Sequence, residues 1–233
     1  MAMVDHEALA ERYQAIRTSL PPHVLLVAVS KTRSVQEIQA LYELGHRDFG
    51  ENYPQELREK APLLPTDIKW HFIGHLQRSN VKHVLSFAHL IHGVDSEKLL
   101  DEIEKRAAAL DKTIDVLLQV HIAQEETKHG FSTSELHALV ETGPSPGQRW
   151  PHIRFRGLMG MATNTDKTDL VVAEFRALGD LFHALRSRGS FANELFDVLS
   201  MGMSGDADLA INAGSTLVRI GTAIFGERSS TGA

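Results

Sequence analysis

The sequence predicts an α/β protein of the (β/α)8 TIM-barrel type with an extra N-terminal helix, and three observations carry that prediction. Apolar runs of strand character recur eight times, starting at residues 24, 47, 68, 90, 115, 153, 195 and 216. Each but the last is followed by a helical segment, and strict alternation of strand and helix argues for a parallel sheet. The length of 233 residues suits a single barrel, which takes about 250. An open doubly wound sheet is the alternative, but no G-x-G-x-x-G follows the first strand and no G-x-x-x-x-G-K-[ST] occurs, so its nucleotide-binding version has no support. The chain therefore reads as a single domain over 1–233, with the N-terminal helix in 1–22 and the barrel in 23–228.

Each element has its own justification. His6 to Leu20 spaces Leu9, Tyr13, Ile16 and Leu20 as one helix face, and Pro21-Pro22 ends it. VLLVAVSK (24–31) is a buried strand. SVQEIQALYELG (34–45) is a helix opened by Ser34 with Glu37 three residues on and closed by Gly45, a capping box and a C-terminal glycine. RDFG (47–50) is a short strand before a helical stretch at 55–60; IKWHFIG (68–74) and LIHGVD (90–95) are strands. SEKLLDEIEKRAAALD (96–111) is a helix capped by Ser96, its charges an ordinary solvated face, and DVLLQVH (115–121) a strand. A helix at 132–142 leads into GPSPGQRWP (143–151), read from its proline and glycine content as a loop insertion. Strand 153–161, helix 166–188, strand 195–202, a short helix at 205–213 and strand 216–221 complete the series.

Composition narrows the chemistry. A net charge of -6 and a pI near 6.1 give no basic excess, so no nucleic acid partner is expected. The absence of cysteine removes disulfides, thiolate metal sites and cysteine nucleophiles together. The N-terminus has neither a basic n-region nor an apolar h-region, and no run approaches the roughly 20 apolar residues of a membrane span. A cytoplasmic protein without membrane contact is expected.

Function in a barrel collects at the C-terminal strand ends. Here they carry Ser30-Lys31-Thr32, Gly50-Glu51-Asn52-Tyr53, Gly74-His75-Leu76-Gln77, Ser200-Met201-Gly202-Met203-Ser204 and Arg219-Ile220-Gly221-Thr222. Period two puts Leu25, Val27, Val29 and Lys31 on one strand face, so a barrel-filling face aims Lys31 into the mouth. A strand-ending lysine commonly snorkels to solvent. Partial desolvation near an arginine on the facing strand instead favours its neutral form, the nucleophile that makes a Schiff base with a carbonyl. The loops after strands 7 and 8, SMGMSGD and RIGT, offer the small residues, hydroxyls and glycines of a phosphate site, and a helix near Asp206 aims its dipole there. Schiff-base lysine, phosphate cradle and interior arginine suggest pyridoxal 5′-phosphate (PLP), whose aldehyde, phosphate and ring nitrogen they meet in turn.

The motifs AVSKT, FGENY, WHFIGHLQ, RGLMGM, LSMGMS and GSTLVRIGTAIFGER, spread from Ala28 to Arg228, resemble those of the pyridoxal phosphate homeostasis protein family, the YggS/PROSC group. The resemblance implies the barrel of alanine racemase without its second domain, with PLP bound covalently to Lys31. It further implies Asn52 near the ring, Arg219 facing the pyridine nitrogen, and Ser200, Gly221 and Thr222 holding the phosphate. Met201 and Ser204 are further cofactor-binding candidates. HLQRSNVKH has one residue more before Asn80 than the family's commoner spacing, which leaves Asn80 and Lys82 unassigned.

A cation at the ring nitrogen disfavours its protonation and weakens the ring as an electron sink. Transamination and decarboxylation are therefore not expected. Racemisation needs a second base, which in alanine racemase is a tyrosine from the partner's second domain, whereas this sequence ends soon after its eighth strand and offers Tyr13, Tyr42 and Tyr53. The leading expectation is a non-catalytic PLP-binding protein of vitamin B6 and amino-acid homeostasis, monomeric, with PLP-dependent apo-enzymes as possible partners. The alternatives are a PLP-dependent amino-acid racemase and a cofactor-free Schiff-base aldolase using Lys31. His71 and His75 share a strand face, but HExxH is absent and no third ligand can be named, so no metal is expected. Lys128, in EETKHG, reads equally as a solvated loop lysine or a secondary anion contact.

Overall fold

The computed structural model describes residues 4–191 and 194–227; the expected barrel limit at Arg228 lies outside them. The elements run α1 (His6–Ser19), β1 (Leu25–Val29), α2 (Val35–Glu43), β2 (Asp48–Glu51), α3 (Pro54–Lys60), β3 (Lys69–Phe72), α4 (Val81–Val84), β4 (Ala88–Val94), α5 (Glu97–Ala109) and β5 (Ile114–Val120). There follow α6 (Thr133–Glu141), α7 (Pro146–Arg149), β6 (Ile153–Gly160), α8 (Thr168–Ser187), β7 (Val198–Met203), α9 (Ala207–Asn212), β8 (Leu217–Ile220) and α10 (Thr222–Phe225). All eight strands pair in parallel and in chain order, and β8 returns to β1 to close the barrel. The predicted fold class and every predicted strand are thus present.

Period two sorts each strand between two cores. Leu26 and Ala28 of β1 face the helix layer, as do Trp70 and Phe72 of β3, Leu199 and Met201 of β7, and Val218 and Ile220 of β8. The intervening residues point inward, where Val27, Leu90, Leu117, Met159 and Leu217 form a separate apolar cluster. Burying such side chains contributes roughly 1.5–3 kcal/mol each, so both faces of the sheet stabilise the closure. The N-terminal helix packs against the end of the chain: Arg12 Nε donates to the Ile224 carbonyl at 2.8 Å.

Local signals mostly act as read. Ser34 and Glu37 make the reciprocal capping box of α2, and Ser132 with Glu135 makes a second one at α6. Four expectations need correction. Ser96 stands at the start of α5, but its hydroxyl donates to Asp95 Oδ1 at 3.1 Å and makes no cap bond. The supposed loop 143–151 contains α7, because Pro146 sits in its first turn, where proline has no hydrogen bond to lose, and Gln148 closes a capping box onto Ser145. The eighth strand is also followed by a helix, α10. Strand β7 begins at Val198 rather than Leu195.

Candidate functional site at the barrel mouth

Lys31 stands just beyond β1, half-buried, at the inward parity set by Val27. Both residues flanking it are tied to the outside of the barrel. The Ser30 hydroxyl, facing away from the interior, donates to Glu51 Oε1 at 2.7 Å. The Thr32 backbone, held at φ +62° in the left-handed region, donates its N–H to Glu56 Oε2 at 2.7 Å. One ammonium knits these together: Lys60 Nζ donates to the Ser30 carbonyl at 2.9 Å, to Glu51 Oε1 at 2.9 Å and to Glu56 Oε2 at 2.6 Å. Burial holds the Glu51 carboxyl above its ordinary value, against the pull of Lys60 and Ser30. Burial also pushes Glu56 upward, but hydrogen bonds from Lys60 and the Thr32 N–H outweigh it and its carboxyl lies below the usual range. A positive φ at a β-branched residue is strained, and this clamp over-determines it. Glu51, Glu56 and Lys60 were not assigned from the sequence, although Glu51 lies within FGENY.

Asn52 follows β2. Its side-chain Oδ1 is buried with no hydrogen-bond partner among the described residues, an acceptor that costs stability unless a ligand satisfies it. The Asn52 main chain packs against Gly74, where an added Cβ would fall 2.1 Å from the Asn52 carbonyl oxygen.

On β8, the strand next to β1, Arg219 points inward, buried, at the level of Val27. Lys31 therefore stands two inward positions higher on the adjacent strand, not on a facing one. Burial presses the guanidinium down to about 10, with Asp206 opposing, which leaves it charged at neutral pH. Its Nη1 donates to the Ser200 carbonyl at 3.0 Å and to the Ser200 hydroxyl, and its Nη2 to the Gly160 carbonyl at 3.2 Å. Ser200 is fully buried on the inner face of β7, with its Oγ also 3.1 Å from His92 Nδ1; its hydroxyl is engaged inside the barrel rather than at a phosphate. The side chain of Met201, one residue on, lies in the outer core, so only its main chain can contribute to the mouth. Ser204 and Thr222 are exposed beyond β7 and β8, and Gly221 lies between β8 and α10. A Cβ at Gly221 would meet Val29 at 3.2 Å, so that turn is tightly packed against β1. The amino end of α9 does not await an anion: Asp206 stands there and accepts the Met203 N–H at 2.6 Å.

Other expected candidates sort differently. Lys128 Nζ donates to the Ala162 carbonyl at 2.6 Å and pairs with Glu125 Oε1 at 3.0 Å, which makes it a loop latch rather than an anion contact. Asn80 closes a short 3-10 turn before α4, and Lys82 is exposed on that helix. His71 and His75 part company. His71 lies inside the barrel, whereas His75 pairs with Asp95 at 3.2 Å and stacks on His129 with ring centroids 4.0 Å apart and planes 17° from parallel. His75, Asp95 and His129 are a three-residue group of metal-ligand type that the sequence had not brought together. One ligand atom from each lies within 4.8 Å of the other two, and the two rings and the carboxylate form a paired imidazole stack.

The closed barrel with a lysine beyond β1 and a buried arginine on β8 defines a class: residues 4–229 match the family model described as alanine racemase, N-terminal domain. Within that class, a human pyridoxal phosphate homeostasis protein is 39% identical over 213 residues, covering 87% of this chain and 76% of its own. A Schizosaccharomyces pombe protein of the same name is 39% identical over 210 residues, covering 88% and 85%. The structure of PipY from Synechococcus elongatus with PLP bound superposes with a TM-score of 0.82 at 33% identity, covering 94% of this chain and 100% of that one. The chain belongs to the pyridoxal phosphate homeostasis protein family. An alanine racemase from Bartonella henselae, 16% identical with a TM-score of 0.73, shares the fold, and this chain covers 60% of it.

Proposed function

We propose that this protein binds pyridoxal 5′-phosphate at the barrel mouth, covalently through Lys31, and serves PLP and amino-acid homeostasis rather than steady turnover. The observation that carries the reading is the buried guanidinium of Arg219 beneath a mouth whose rim holds Lys31 and the Asn52 Oδ1, a buried acceptor without a partner among the described residues. These groups fit the ligand in kind: an amine for an aldehyde, an acceptor for a hydroxyl, a cation for a ring nitrogen. Exposed Ser204 and Thr222 and the tight Gly221 turn are suited to the phosphate, with Ser200 and Met201 contributing at most main-chain groups. PLP supplies an aldehyde that condenses with amines and a ring that withdraws electrons when its nitrogen is protonated. Arg219 opposes that protonation by charge repulsion, which favours holding the cofactor over using it. We read the chain as one domain, a cytoplasmic monomer, with PLP-dependent apo-enzymes as recipients.

Racemisation remains the second reading, because Tyr53 is 51% exposed beside Asn52. The other two tyrosines are elsewhere: Tyr13 contacts His46 under α1, and Tyr42 donates to Asp67. The test is the absorbance of purified protein with PLP before and after borohydride, alongside Lys31→Ala. A violet-absorbing species, trapped by reduction and lost in the variant, is expected. No such band leaves a snorkelling or aldolase lysine and overturns the PLP reading. Solvent deuterium incorporated at an amino-acid α-carbon, dependent on Lys31, would establish the racemase instead.

A further inference from the structure

The barrel interior carries a row of polar side chains that packing does not require. Asp48 of β2, His71 of β3, His92 of β4, Ser200 of β7 and Arg219 of β8 lie in a continuous chain of contacts. Asp48 Oδ1 is 3.0 Å from His71 Nε2, His71 Nδ1 is 3.0 Å from His92 Nε2, and His92 Nδ1 is 3.1 Å from Ser200 Oγ, which accepts from Arg219 Nη1. His71, His92 and Ser200 are at most 1% exposed, deep enough that each polar atom needs a partner.

Donor and acceptor roles along the row follow from its ends. A guanidinium only donates, so Ser200 accepts from Arg219 and has its hydroxyl proton available for His92 Nδ1. Burial, with the Arg219 cation nearby, holds His92 well below its ordinary value and hence neutral. A neutral ring that accepts at Nδ1 carries its proton at Nε2, and donates it to His71 Nδ1. His71 in turn carries its proton at Nε2 and donates to Asp48. Burial pushes the Asp48 carboxyl upward, but the hydrogen bond from His71 and the nearby Lys69 bring it below its ordinary value, so it is an anion. Every bond then points one way, from the Arg219 cation to the Asp48 anion.

We propose that His92 and His71 are positioning residues for the cofactor site, forming a one-way hydrogen-bond relay that fixes the Arg219 guanidinium toward the ring nitrogen and polarises it from Asp48. This role rests on the PLP reading of the mouth. The relay is directional, so it changes as a unit: a second proton on His71 makes both its nitrogens donors, and His92 must then reverse tautomer and present a donor to Ser200. The charged and titratable groups facing the pair are Asp48 of β2, Lys69 of β3, His89 of β4, whose ring lies 5.7 Å from that of His71, Asp115 of β5 and Arg219 of β8.

The experiment has two arms. Nitrogen-15 NMR of the imidazoles in the PLP-free protein reads the tautomers directly, and both His71 and His92 are expected neutral, protonated at Nε2 with Nδ1 accepting. PLP titration then compares the unaltered protein with His92→Leu and with His92→Gln, which keeps one donor and one acceptor. His92→Leu is expected to retain borohydride-trappable PLP while weakening its affinity up to about tenfold, the upper worth of one neutral hydrogen bond, and shifting the absorption band; His92→Gln should recover most of both. A proton on His92 Nδ1 overturns the relay even with PLP binding intact. Unchanged affinity and band in a His92→Leu protein that has only lost thermal stability reduces the histidines to packing and also overturns it. Absence of PLP binding by the unaltered protein overturns the ligand reading and, with it, the role given to the relay.

Discussion

Lys60→Met isolates the clamp behind Lys31. The substitution keeps the apolar stem and removes the ammonium that holds Glu51, Glu56 and the Ser30 carbonyl. The Glu51 side chain is 0% exposed and that of Lys60 10%, so this is a buried pair, and deleting one member of such a pair costs about 3–5 kcal/mol. For a domain of this size that corresponds to a fall in Tm of roughly 6–20 °C. The cost must also depend on pH. Burial already raises the folded-state value of Glu51, and without Lys60 it rises further. A carboxyl whose folded value is raised contributes its stability below the unfolded value and loses it as pH rises through the folded one. The deficit of Lys60→Met should therefore be largest near pH 8 and shrink toward about pH 5, where Glu51 can take up a proton instead of remaining a buried anion. Urea unfolding at both pH values, with unchanged m, measures it. Adding Glu51→Gln to Lys60→Met should recover most of the loss at pH 8. A deficit equal at the two pH values, with costs that simply add in the double variant, would refute the reasoning.

Three further outcomes follow from positions described above. Gly74→Ala places a methyl 2.1 Å from the Asn52 carbonyl oxygen and should cost about 3 kcal/mol while weakening PLP binding by displacing Asn52; urea midpoints and a PLP titration check both, and a neutral variant would contradict the close approach. Met201→Ala should cost about 2–5 kcal/mol as a cavity in the outer core yet leave PLP affinity unchanged, and a selective loss of affinity would return the Met201 side chain to the mouth. Burial lowers both His46 and His92, so the folded state refuses protons that the unfolded chain accepts near pH 6.5. Stability should fall on acidification below that value by up to about 1.4 kcal/mol per pH unit for each ring, and a flat stability profile from pH 7.5 to 5 would count against it.

The barrel was legible because its signals are local. Alternation along β1 placed Val27 inside and Lys31 above it from ten residues of sequence, and Ser34 with Glu37 announced α2. The same parity places Ser200 and Arg219 inward and Met201 outward, information present in LSMGM but outweighed by the family motif. The α7 turn was also written in SPGQ, whose proline and glycine read more readily as loop. What lay beyond reach needed tertiary contact. His92 and Ser200 are 108 positions apart and meet only when the barrel closes. Glu51 and Lys60 meet because β2 and α3 fold against one another on the outside of the sheet, and the His75–His129 stack joins loops after β3 and β5.

The return of β8 to β1 also bears on how the protein fails. An open sheet presents two rows of unpaired backbone groups on which another chain can add a strand, and a closed one presents none. Apolar segments such as Leu25–Val29 and Ile114–Val120, hazardous when bared, are in the native molecule already paired on both sides. Self-association through these strands then requires the ring to open first. Aggregate formation should accordingly track the population of opened molecules rather than the concentration of native ones, so whatever tightens the barrel also protects the protein's solubility.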